Sequence, residues 1–230
     1  PLHEREPGAR RRALRLILLT PSSPFSTDTM RKIPLSTTSA LCVAVVFCSF
    51  LAASIIYYPR PWSPITTFLS DFGNMKTSPF GALVYNAGCM MTGAAAVAFY
   101  VGLGEWETDD GRRLVLGAAR ILGVASGIAL ALIGMYPEDF PALHRFWSYA
   151  FFTINFFAIL LTNVSLAGRE GYGKPTMWVG FGLTGVTLLS FIFWGGAPAV
   201  EWFTVFASIA FALLLGYDAF RQKRPATQPG

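Results

Sequence analysis

The order of apolar and polar positions along this chain is neither the two-residue alternation of strands nor the one-sided stripe of soluble helices. Apolar residues run together in six long blocks, at about Leu35–Tyr58, Phe80–Leu103, Leu114–Tyr136, Phe146–Ala167, Thr176–Trp194 and Val200–Phe220. Each reaches the length of about 20 residues that a helix needs to cross a hydrocarbon core. Short polar or turn-forming stretches separate the blocks, and Gly195, Gly196 and Pro198 make the last connection very tight. The pattern predicts an all-α, polytopic membrane bundle of six transmembrane helices. The first block has small residues at Ala52, Ala53 and Ser54, as a cleaved signal peptide would. Its length and the belt residues Tyr57 and Tyr58 favour a retained span.

Composition supports lipid as the solvent. Of 230 residues, 53% are hydrophobic and 13% charged, against about 25% charged in soluble domains. The net charge of +5 does not indicate nucleic-acid binding, because the basic residues lie at chain ends and in short loops and form no basic face. From Met30 onward, nine Lys and Arg residues flank one end of the predicted bundle and three flank the other. The positive-inside rule then places both termini in the cytoplasm, most simply at the cell (plasma) membrane. The three cysteines, Cys42, Cys48 and Cys89, lie inside apolar blocks without zinc-ligand spacing and read as small packing residues.

Residues 1–29 are rich in Arg, Pro and Ser, and Met30 opens a stretch that reads as a natural start, so the expectation is a disordered extension followed by a domain over 30–220. Residues 221–230 read as a basic, disordered tail. Gly123 and Gly127 form a small-residue pair suited to close helix packing within the bundle; a homo-oligomer is compatible with it. Arg120, about two turns inside the third block, must snorkel or face a polar interior.

The candidate chemistry gathers on the outer end. The first loop, Tyr57–Ser78, interleaves Trp62, Phe68 and Phe72 with Ser70, Asp71 and Asn74, and its prolines exclude one long helix. It reads either as an interfacial connector, with a short amphipathic helix at Ile65–Phe72, or as a lid over a polar site. The second outer loop brings Glu138, Asp139 and His144, and the head of the last span brings Glu201. Four carboxylates and one imidazole at one rim are the makings of a hydrogen-bonded network, an acid–base pair or a metal site, with Asp71, His144 and Glu201 the candidate ligands. Ser70, Asp139 and His144 contain the residue types of a nucleophilic triad, but nothing in their spacing fixes its geometry. Asn86, Thr92 and Asn155 suit interhelical hydrogen bonding, or the lining of a cavity that Asn86, Asn155 and Glu201 would meet in. No phosphate loop, HExxH, GxSxG or haem-attachment motif is present, and no cofactor is implied.

The strings SPITTFLSDFGN, NAGCMMTG and GMYPEDFPALHRFWSYAFF, followed by Glu201–Trp202 at the head of the last span, resemble the bacterial and archaeal domain-of-unknown-function 998 family. The resemblance covers about Leu35–Phe220 and implies six spans but no activity. More distantly, the aromatic Ser-Asp-x-Gly turn is similar to that of the DRAM/Frag/Sfk membrane proteins. Four functions therefore stand: binding or sensing of a small molecule or lipid at the outer face, transport through a polar path or channel, hydrolysis by a metal held on Asp71, His144 and Glu201, or a purely structural subunit.

Overall fold

Helix length is the first constraint to be met. In the computed structural model, which describes residues 33–106, 109–194 and 196–223, the described residues contain six long helices and no strand. They are α1 (Leu35–Ile56), α2 (Pro79–Gly102), α3 (Asp110–Met135), α4 (Pro141–Leu166), α5 (Lys174–Trp194) and α6 (Pro198–Gln222). All six are long and apolar enough to span a bilayer. The 22 residues of α1 rise about 33 Å, against a hydrocarbon thickness of about 30 Å. The chain is thus a multi-pass membrane protein. Met30 and the extension before it lie outside the described residues, as does the tail beyond Lys223.

Each helix packs on its neighbours in sequence, and α6 returns to α1, so the antiparallel helices close into a ring. Close backbone approach binds α2 to α3. A Cβ on Gly93 would lie 2.5 Å from the Gly127 carbonyl, and one on Gly123 would run into the Tyr100 ring. The small-residue pair therefore serves packing within the chain. Among the described residues three clusters fill the interior: one around Phe99, Leu103, Leu166, Phe211 and Leu215, a second around Phe47, Leu51, Leu69, Phe72 and Tyr85, and a small third of Ala129, Ile133 and Phe151.

Several boundaries differ from the sequence reading. Helix α4 starts at Pro141 rather than near Phe146, because a proline at the first helical position loses no needed N–H and has its φ already set. His144 and Arg145 consequently lie in its first turns, not in a loop. Helix α3 starts at Asp110, where the Asp109 carboxylate accepts the Arg112 N–H at 3.3 Å. Helix α6 continues to Gln222, into the stretch read as tail. Cys42 and Cys48 are exposed on α1, and only Cys89 is buried.

The amphipathic helix expected at Ile65–Phe72 does not form. The Thr66 and Thr67 N–H groups turn back to the Ser63 carbonyl, and a short 3-10 turn follows at Ser70–Gly73. The Phe68 N–H donates to the Asp71 carboxylate at 2.9 Å, the local competition by which Asp disfavours regular helix. Arg120 donates to the Tyr100 and Val101 carbonyls at 3.3 and 3.1 Å, satisfying the frayed end of α2.

Candidate functional site

The loop between α1 and α2 covers the end of the ring like a lid, fastened there by aromatic and carboxylate contacts. Leu69 and Phe72, each 1% exposed, plug the bundle end. The Phe72 ring meets Tyr58 at 4.7 Å, Trp62 at 5.7 Å and Trp202 at 6.3 Å. Trp202 stacks between Trp62 and Phe206, and its indole N–H donates to the Thr67 carbonyl at 2.8 Å.

The rim carboxylates hold this lid. Glu138 accepts Ser70 Oγ at 3.1 Å on one oxygen and Asn74 Nδ2 at 3.2 Å on the other. Asp139 accepts the Met75 N–H at 2.8 Å, and Glu201 accepts the Leu69 N–H at 2.9 Å. Asn86, on α2, donates to the Gly73 carbonyl at 3.0 Å, so it pins the lid from beneath instead of joining two helices. Burial, and after it the adjacent Glu138 carboxylate, push the Asp71 pKa up against the opposing pull of the Phe68 N–H. Burial and then the Asp71 charge raise the Tyr58 hydroxyl likewise. His144 is buried and donates from Nδ1 to the Tyr136 carbonyl at 3.0 Å, which leaves Nε2 unprotonated in the neutral ring. Asp71, His144 and Glu201 do not form a ligand set: among the described residues no three His, Cys, Asp or Glu side chains gather closely enough to hold a metal.

Beneath and beside the lid are two cavities. The outer one, about 300 Å³, lies between α4, the end of α5 and the start of α6, and brings Ser70, Glu138, His144 and Glu201 to one space. Arg145, Tyr149, Phe152 and Phe191 complete its amphiphilic wall. Tyr149 and Phe191 are exposed on the outside of the bundle. The inner one, about 90 Å³, is enclosed by α1, α2, α3, α4 and α6, with Ser70 at its lid end. Ser70, Ser148, Phe152 and Glu201 line both.

Asn155 anchors the inner cavity. It accepts Tyr100 Oη at 3.3 Å and Ser126 Oγ at 3.4 Å, and donates to Ser208 Oγ at 3.1 Å. It therefore ties α2, α3 and α6 to α4 while lining the space, joining the two roles the sequence left open. Of the three residues expected to meet at a cavity, Asn155 and Glu201 do and Asn86 does not.

A second polar cluster at the opposite end escaped the sequence reading. Asp218, 4% exposed, accepts the Gly173 N–H at 2.8 Å and Thr176 Oγ1 at 2.6 Å, fixing the α4–α5 loop to α6. Burial and then the Asp218 charge raise the Tyr172 hydroxyl beside it, which is bonded to Asn163. Glu105 accepts the Leu35 N–H at 3.0 Å and pairs with Lys223 at 3.7 Å. A carboxylate in an apolar block, as Asp218 is, was the available signal.

Comparison with curated proteins and with solved structures returns no match. The family model described as "Protein of unknown function (DUF998)" matches residues 40–219, from the second turn of α1 to the last turns of α6, and the chain belongs to that family.

Proposed function

We propose that this protein binds or senses a membrane-resident amphiphile at the lid end of the ring, admitted between α4 and α6. One observation carries the reading: the same four residues, Ser70, Ser148, Phe152 and Glu201, line both an outer cavity with exposed aromatic walls and a deeper inner one. An outer space of about 300 Å³ is at the lower end of ligand pockets, which combine apolar walls with a few placed polar groups. An amphiphile meets both demands, its chain against Phe152 and Phe191 and its polar end at Ser70, Ser148 and Glu201.

The excess of Lys and Arg at the opposite end supports a lid that faces the cell exterior. A cysteine replacing the exposed Phe140 should then react with a membrane-impermeant maleimide on intact cells. Reaction only after permeabilisation reverses the orientation.

The binding reading is tested by native mass spectrometry of the detergent-purified protein. The wild type should retain an amphiphile of defined mass. Ser148→Trp, which places an indole across the shared wall, should lose it while melting within a few degrees of wild type. Retention undiminished in Ser148→Trp refutes the proposal.

A further inference from the structure

The two cavities differ in charge. In the outer one Glu138 and Glu201 are faced by Arg145 and His144. In the inner one Glu201 is the one carboxylic acid, and no Lys, Arg or His reaches its wall. The rest of that wall is rich in aromatic rings, among them Phe47, Tyr85, Phe151 and Phe211. It also carries the Thr92 hydroxyl, on a residue 3% exposed, whose oxygen has no hydrogen-bond partner. Nearly every buried polar group in a folded protein is paired, so the Thr92 hydroxyl stands out beside this space as a group with hydrogen-bonding capacity still unused.

These features favour one charge class. An anion here would lie beside the Glu201 carboxylate with no cation to balance either. A neutral alcohol could hydrogen-bond Thr92 or the carboxylate but would leave the buried carboxylate without a counter-ion. An ammonium group obtains a counter-ion from Glu201, an acceptor from Thr92 and the negative faces of aromatic rings, which attract cations strongly once water is excluded. Size agrees: a space of about 90 Å³ admits an ammonium with a short stub of chain.

We propose that the amphiphile is a lipophilic amine, and that the inner cavity seats its ammonium group between the Glu201 carboxylate and the aromatic wall. This rests on the amphiphile reading above and adds its charge. Glu201 has two oxygens, one of which takes the Leu69 N–H, so the lid latch and the counter-ion role are compatible.

The test is a titration of the full chain in lipid nanodiscs with decylamine, decanol and decanoate, which share a chain length and differ in charge, against empty nanodiscs for partitioning. Decylamine should bind at least about tenfold more tightly than the other two. Glu201→Gln keeps an acceptor for Leu69 and should bring decylamine binding down to the level of decanol in the same variant. Thr92→Val, close in shape, should weaken decylamine more than decanol, and it carries the test alone should Glu201→Gln not be recoverable. Equal binding of amine and alcohol, or a preference for decanoate, overturns the charge assignment and leaves the amphiphile reading intact. Binding of none of the three removes both.

Discussion

The Leu69 N–H is the most exacting point of the lid, because Leu69 is buried and its donor reaches across 132 positions to Glu201. Glu201→Leu keeps most of the side-chain volume and deletes the acceptor. A buried neutral donor left unpaired costs about 1–3 kcal/mol. At 1.4 kcal/mol per factor of ten, the lid-opening equilibrium should rise roughly 5- to 140-fold. Amide exchange with fast reclosing follows the population of the open form, so hydrogen exchange in nanodiscs reads this quantity directly. The Leu69 amide should accelerate by that factor, with Phe68 and Met75, whose N–H groups donate to Asp71 and Asp139, following if the lid opens as a unit. Amides around Gly93 and Gly127 should hold their rates, since they belong to the packed α2–α3 contact. Exchange at Leu69 within about twofold of wild type, against the cost expected of an orphaned donor, refutes the latch. So does equal acceleration throughout the spans, which signals general destabilisation.

Three further outcomes follow from the same geometry. Burial, then the charge of Glu138, hold the Asp71 pKa above its ordinary 3.8. Folding therefore favours the protonated form, and that contribution is complete below the unfolded pKa and lost as pH rises through the folded one. Asp71→Asn stays neutral and should gain on wild type in melting temperature from about pH 4 to neutrality; a gain by wild type contradicts the assignment. Gly93→Ala should destabilise by about 1–3 kcal/mol or more through backbone overlap, whereas Gly185→Ala, with nothing within 4 Å of its Cβ, should gain about 0.5–1 kcal/mol; equal melting temperatures would contradict both. Asp218→Leu leaves the Thr176 hydroxyl and Gly173 N–H without their acceptor, at about 1–3 kcal/mol for each buried group, and should speed limited proteolysis of the 167–173 loop with the lid unaffected.

The spans were legible because lipid punishes polar residues over twenty consecutive positions, a signal that survives without any tertiary information. Helix starts were less legible, since proline and aspartate at Pro141 and Asp109 begin helices well outside the apolar run that identifies them. The lid's secondary structure was not legible at all. Its sequence has a helical period over Ile65–Phe72, but Phe68 donates to Asp71 and Leu69 to Glu201, so the backbone groups a helix would need are committed elsewhere. Asp218 was legible as a carboxylate in an otherwise apolar block, whereas Glu105 was not, because it opens the charged stretch 104–113, where one more acidic residue carries no signal.

A rim rich in carboxylates reads from sequence as a site waiting for a ligand, yet a carboxylate is equally an acceptor for loop N–H groups, and pattern alone does not separate the two. Geometry does. Both oxygens of Glu138 are taken by Ser70 and Asn74, so it fastens the lid and has little left to offer a ligand, while Asp139 takes Met75 on one oxygen and lines neither cavity. Glu201 differs in position: it accepts from the lid and also lines both cavities. A ligand that competes for its charge must therefore act on the same group that holds Leu69. A ligand bound in the inner cavity as proposed would thus be coupled to closure of the lid through one carboxylate. By linkage, whatever ligand prefers the closed lid must make the Leu69 amide exchange more slowly, by the factor that separates its affinities for the two states.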